Sequence, residues 1–447
     1  MKAIILSFLF FCTYGYSQKV AFEYVPKNKD SVIHYINAIH DKKIVKFGDN
    51  HKKLIAENIK ERKKHFVERV SDSSFIYNKK ITTYLNSILK EIYRANPELD
   101  KKDFYFFVDK SQIPNASCYG NGIFTIHLGL FNFINSDDEL AFIICHEMAH
   151  YFLEHSDKAF LAYLETITSK DIKKKINSVK NKQYGKRKAY SELLDALSLN
   201  FLKRSKAVEI EADSLGLLFF KKTKFNINAS ISSLESLEKS DNLLFNQESK
   251  LTENFNFKNY PFKEAWLARD ETLFDLSQKS NDFTIDSDSL STHPATQLRI
   301  KKVKALINKS GTTAAVSSTQ IVEIKDIVGH ISISNFIDNN QIDLAFYQCL
   351  VLYNQQRIDR KEYVATMSKL LTKTYELKNN HTFGKYVSPV YPFSDEQYLN
   401  EIKLFLNNIE LKNVKKIGLN FCLSNEEYMK DDIEFAKTLE FFKKLNL

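Results

Sequence analysis

The chain has 447 residues, 43 % hydrophobic and 27 % charged, with 35 Phe and 22 Tyr, enough apolar material for two or three domains with sizeable cores. Its formal charge of +9 is spread along the chain, and with no basic domain, aromatic ribonucleoprotein pattern or zinc knuckle it excludes a nucleic-acid-binding role. Five cysteines are too few and too scattered for a disulfide framework, and after the N-terminus no apolar run approaches the ~20 residues of a membrane helix.

Residues 1–17 carry Lys2, an apolar stretch from Ala3 to Phe11, and Gly15 and Ser17 ahead of Gln18, the layout of a cleavable secretory signal. Cys12 follows Phe10 and Phe11 rather than small residues, which argues against a lipoprotein site. The expected product is a soluble periplasmic or secreted protein with no transmembrane segment. Residues 18–75 read as an N-terminal helical region, charged and helical from Asp41 to Val70, a brace for the domain after it. Next come a helix over Thr82–Ala95, a strand over Asp103–Asp109, a strand over Gly122–Leu128, a buried helix after Ser136, and a further helix near Ala207–Lys221. The basic stretch Lys173–Lys188 reads as a solvated loop able to meet anionic lipid. Residues 309–319, Lys-Ser-Gly-Thr-Thr-Ala-Ala-Val-Ser-Ser-Thr, have the composition of a linker. Beyond it, Ile342–Tyr353, Lys361–Leu377, Asp395–Asn408 and Ile433–Leu445 are amphipathic, giving a C-terminal helical domain over 320–447 that suits an interaction module. The fold class is α+β, predominantly helical.

The chemistry is carried by His146-Glu147-Met148-Ala149-His150. Helical residues four apart share a face, so His146 and His150 can offer two imidazoles to one Zn²⁺, with Glu147 beside them directed towards a water at the metal. Ser136 and Glu139 form a capping box that starts this helix, and Leu140 to Ile144 is apolar all round, as in a helix buried on most sides. A catalytic zinc takes three protein ligands and keeps a fourth position open, so a third ligand must come from elsewhere. Glu209 is the candidate. It shares a helix face with Asp213, pairing a ligand with a carboxylate that can orient a metal-bound imidazole. His155, nine residues after His146, would lie on the opposite side if the helix ran on, which excludes it as a ligand and leaves packing or hydrogen bonding. His127 reads as a surface strand residue. Cys145 is expected as a buried thiol, and one disulfide between Cys349 and Cys422 is open.

Four ordered motifs together resemble a known family. They are Asn115-Ala116 with Gly120-Asn121-Gly122-Ile123-Phe124-Thr125 and Gly129-Leu130; Glu139-Leu140 leading into His146–His150; Ser205-x-x-x-Glu209-x-x-Ala212-Asp213-x-x-Gly216; and Thr292-His293-Pro294 followed by Arg299-Ile300. This pattern is similar to the gluzincin zinc metalloendopeptidases of the CAAX prenyl protease, HtpX and BepA type, metallopeptidase family forty-eight, of which this chain would be a soluble exported member. Lys206 and the pair Cys118-Tyr119 depart from the usual pattern without touching a ligand. The resemblance implies a zincin-type metalloprotease core with a small sheet over residues 76–308. It implies that Asn115, His293 and Arg299 sit at the mouth of the site as donors to substrate carbonyls or the developing oxyanion, with His293 alternatively a reversible cover on the metal. It also implies that Gly122, Ile123, Phe124, Thr125 and Ile126 form the edge strand on which an extended substrate docks by main-chain pairing.

The expected activity is hydrolysis of peptide bonds in unfolded or misassembled exported proteins, with one zinc per chain, a water nucleophile and Glu147 as general base. The alternative is a largely latent, protease-shaped chaperone or binding protein in envelope assembly, its C-terminal helices engaging a partner. An intact Glu147 argues against a dead enzyme. A structural zinc is the weakest reading, because structural sites fill all four positions with Cys and His and no Cys set is available.

Overall fold

Three short strands, β1 (Tyr105–Asp109), β2 (Ala116–Cys118) and β3 (Ile123–His127), form one sheet in the order β1-β3-β2. The computed structural model describes residues 29–46, 52–72, 74–99, 104–119, 122–181, 205–243, 245, 247–269, 296–307, 319–390 and 396–446. The expected signal segment, His293 and residues 309–318 lie outside them. β3 runs parallel to β1, from Ile123 opposite Tyr105 to His127 opposite Asp109, and antiparallel to β2. This corrects the expected edge strand: Gly122, Ile123, Phe124, Thr125 and Ile126 belong to the central strand or its entry, and the edge beside the active helix is β2. Ile123 to Ile126 are all buried, as in a strand covered on both faces. β2 is only Ala-Ser-Cys, too short to register as a strand in the sequence.

Helices cover this sheet. α3 (Lys79–Ala95) starts at Asn78, whose side chain accepts from the N–H groups of Lys80 and Ile81, and buries Ile81, Tyr84, Leu85, Ile88, Leu89 and Ile92 at helical spacing. α1 (Lys29–Lys46) and α2 (Lys52–Ser71) pack together, and Val32, Ile36, Phe66 and Val70 form a cluster with Phe107 of β1 and Ile123 of β3. Arg69 of α2 pins this hairpin to the sheet through Asp109, 3.2 Å away. α4 (Leu130–Phe133) leads into α5 (Asp137–Phe152), which packs on α3, β2 and α9 (Ala229–Leu243). The capping box forms: Ser136 Oγ accepts from Glu139 N–H at 3.2 Å, and Glu139 reaches back to accept from Asn135 N–H at 2.8 Å.

After α5 the chain turns at Glu154, a left-handed residue with φ 56°, into α6 (His155–Thr168) and α7 (Lys170–Asn181). The basic stretch expected as a loop is thus helical as far as Asn181, with Ile172 buried beneath it. α8 (205–221) follows, then α9, α10 (Leu251–Asn254) and α11 (Thr296–Ile307).

The C-terminal part is α12 (Thr319–Asp338), α13 (Ile342–Asn354), α14 (Arg360–Asn379), α15 (Gln397–Asn408), α16 (Leu411–Asn425) and α17 (Ile433–Leu445). A division at 309–319 does not separate its packing from that of the core around α5. Ile321, Ile324, Ile327, Val328 and Ile331 of α12 join the core around α5, while Leu251, Phe255 and Trp266, from before the expected linker, join the core of α13–α17. The cysteines Cys118, Cys145, Cys349 and Cys422 are all free, so the Cys349–Cys422 bridge is absent here. Among the described residues, no helix is long and apolar enough to cross a membrane.

Candidate metal centre

Helix α5 carries His146, Glu147 and His150 on adjoining positions, and ligand-capable atoms of the three lie within 4.8 Å of one another. The Nε2 atoms of His146 and His150 are 3.0 Å apart. Glu209 reaches across from α8, with Oε2 3.4 Å from His146 Nε2 and Oε1 3.5 Å from His150 Nε2. Two imidazole nitrogens and one carboxylate therefore converge on a single point from two helices. A tetrahedral zinc with ~2.0–2.1 Å bonds separates its ligand atoms by roughly 3.3 Å, so this donor set fits a zinc ion in both chemistry and spacing.

Close approach of the two helices makes this possible. A Cβ on Gly216 would lie 2.9 Å from His146 Cα, so only glycine lets α8 lie against α5 at the histidine itself. One turn earlier on α8, Asp213 Oδ1 lies 2.9 Å from His146 Nδ1, a close pairing of carboxylate and imidazole. Arg299 of α11 donates to both Asp213 oxygens, Nε to Oδ2 at 2.7 Å and Nη2 to Oδ1 at 2.8 Å, and its Nη1 lies 3.1 Å from Glu209 Oε2. Arg299 is 1 % exposed. Expected at the mouth as a substrate or oxyanion donor, it is buried, with Nε and Nη2 committed to Asp213 and Nη1 beside Glu209, and it forms part of the wall of the cleft at His146 and Glu147.

Buried charge sets the local acidities. Burial works against the Asp213 carboxylate, but hydrogen bonds from Arg299 and His146 hold its pKa down at about 2. Burial would also lower His146, yet Asp213 and Glu209 outweigh it and raise the imidazole to about 10. Proton and divalent cation thus compete for one donor set. Burial lowers the pKa of His155, with Glu211 opposing.

His155 is not on the far side of the active helix. α5 ends at Phe152, and the turn at Glu154 brings His155 back with Nδ1 2.9 Å from His150 Nδ1 and Nε2 3.4 Å from Glu211 Oε2. No Gly or Pro marks this turn, so helical periodicity misplaced the residue. Asn115 enters β2, where its Oδ1 accepts from Ala116 N–H at 2.9 Å and its carbonyl accepts from His127 N–H. His127 is half-buried, with Nδ1 3.1 Å from Ile113 O and Nε2 3.4 Å from Asp109 Oδ2. His293 lies outside the described residues. A narrow cleft beside His146 and Glu147 is walled by Ala116, Leu130, Phe142, Ile143, Ser233, Leu234, Leu237 and Arg299.

The sequence pattern of peptidase family M48 matches residues 79–307, just over half of the chain and the whole of this site's framework. The chain belongs to peptidase family M48. M48 is a family of metallopeptidases, and the His-Glu-His cluster on α5 lies within the matched residues. It is also similar to the β-barrel assembly-enhancing protease of Yersinia pestis, 26 % identical over 89 residues. That stretch is 20 % of this chain and spans only 18 % of the relative's length.

Proposed function

We propose that this M48 peptidase is a zinc-dependent endopeptidase acting on unfolded or misassembled exported proteins. The observation that carries the reading is the convergence of His146, His150 and Glu209 beside Glu147. These three residues would hold the zinc, with Asp213 orienting His146 from behind. Zinc bound there supplies a Lewis acid and lowers the pKa of a water towards neutrality. Glu147, only 5 % exposed, takes the proton of the attacking water on its carboxylate and hands it to the leaving amine. Substrate docks in extended form along β2 rather than β3, since β2 is the strand at the sheet edge beside α5. Main-chain pairing recognises an unfolded chain without fixing its sequence, which suits a quality-control protease. Asn115, where β2 begins, and His293 are the candidate donors to substrate carbonyls, one such donor being worth about 3–4 kcal/mol of barrier.

Export is the reading the signal-like residues 1–17 support, and misassembled substrates accord with the name of the Yersinia relative, a β-barrel assembly-enhancing protease. The helices α13–α17 are the proposed site for a partner. Because Glu147 is not itself a ligand in this reading, zinc-loaded Glu147→Gln should keep fold and metal while cleavage of casein falls at least about 10²-fold. Undiminished cleavage would overturn the protease mechanism. Retained capture of envelope proteins by that variant, identified by mass spectrometry, would name the substrates.

A further inference from the structure

We infer that His155 is a positioning residue for His150, and that with Glu211 it fixes which ring nitrogen of His150 faces the metal position. The inference rests on the zinc reading above and concerns residues to which that reading assigns no role. The two histidines of α5 are backed differently. His146 Nδ1 meets a buried carboxylate, Asp213, itself clamped by Arg299. His150 Nδ1 meets another imidazole, His155 Nδ1, at 2.9 Å.

A hydrogen bond between two imidazole nitrogens needs one N–H and one lone pair. For His150 Nε2 to present a lone pair towards His146 and Glu209, the neutral ring must carry its proton on Nδ1 and donate it to His155 Nδ1. His155 must then carry its own proton on Nε2, where Glu211 Oε2 lies 3.4 Å away to accept it. One choice of tautomer satisfies all three side chains, and the reverse choice places two lone pairs face to face at His155 and Glu211. The arrangement extends the pattern in which a metal-binding histidine donates its second N–H to an acceptor, with a neutral ring in the acceptor's place. His155 is 6 % exposed, whereas the Glu211 side chain is 64 % exposed, so the chain runs from the buried ligand to solvent.

The position of His155 is set by the fold. The left-handed turn at Glu154 reverses the chain, and the next residue, Ser156, donates from Oγ to Cys118 O at 3.1 Å, tying this corner to edge strand β2. The same corner therefore supports a metal-facing histidine and the strand on which substrate is proposed to dock.

Chelator competition with Zn²⁺ on the full-length protein tests the inference. His155→Leu fills the space without an acceptor and should weaken zinc binding about 10- to 100-fold, the usual loss when such an outer hydrogen bond is removed. His155→Asn places an amide oxygen near the position of Nδ1 and should recover most of that loss. Glu211→Gln, at the end of a long and exposed contact, should cost only a few-fold. Far-UV circular dichroism of the metal-free variants checks that each is folded, and if His155→Leu does not fold, the comparison of wild type, His155→Asn and Glu211→Gln still stands. Equal affinity of wild type and His155→Leu overturns the inference, as does equal impairment of the Leu and Asn variants, which would mean His155 only packs. If His150→Ala leaves zinc affinity unchanged, the zinc reading itself fails and the inference with it. If His150→Ala abolishes binding while His155→Leu does not, only the inference fails.

Discussion

The core around α5 and the core of α13–α17 are built from the same kinds of side chain but bury very different polar groups. Around α5, His146, Glu147, His155, Glu209, Asp213 and Arg299 are all under 9 % exposed and come together from four helices. In the C-terminal core the buried polar groups are mostly hydroxyls and amides that bond within their own helix: Ser368 to Ala365 O, Thr374 to Leu370 O, Asn425 to Phe421 O. Its buried acid, Asp343, has its pKa raised by burial rather than lowered by a cation. A buried charge network costs several kcal/mol in desolvation unless every member is paired, so its presence marks a task other than stability. Among the described residues the C-terminal core carries no comparable network.

Removing residues 319–447 should have the largest effect. It strips Ile324, Ile327 and Ile331 from the core around α5 and uncovers Phe255 and Trp266, so the remaining chain should aggregate without a cooperative unfolding transition. A soluble, cooperatively folding, zinc-binding fragment would show that the two cores are independent. Glu209→Gln should reduce zinc affinity by more than about 10²-fold with little change in the metal-free fold, since a neutral amide oxygen replaces a carboxylate ligand. Full zinc occupancy by metal analysis would remove Glu209 from the ligand set. Phe405→Ala, in a fully buried C-terminal site against Phe255 and Trp266, should cost about 3–5 kcal/mol in denaturant unfolding and leave zinc affinity unchanged. Weakened zinc binding there would break the contrast between the two cores. Gly216→Ala should cost about 1–3 kcal/mol and also weaken zinc binding, because α8 must retreat from His146. Gly384→Ala, with nothing within 4 Å of its added Cβ, should change stability by no more than about 0.5 kcal/mol.

Much of the active half was legible in the chain because it depends on local rules. The capping box at Ser136, the i, i+4 spacing of His146 and His150, and the shared face of Glu209 and Asp213 all follow from the helical repeat. Four amphipathic C-terminal helices were legible for the same reason, whereas α12 and α16 were not among those expected. What the sequence misplaced depends on contacts across the chain. The resemblance implied that β3 is the edge strand, but the edge beside α5 is β2, three residues long, and pairing order is a property of the whole sheet. Arg299 looked like a donor at the site mouth, yet the buried Asp213 and Glu209 claim it.

The sequence by itself determined the helix that sets His146, Glu147 and His150 together and the helix face shared by Glu209 and Asp213, since each lies within a single turn or two of α-helix where spacing dictates direction. Only the tertiary structure decided that β2 is the edge beside the site, that His155 turns back to meet His150, and that α12 and residues 251–267 knit the two cores together. Those outcomes hang on where a helix stops and which surfaces meet, and the 3.6-residue repeat carries no information about either.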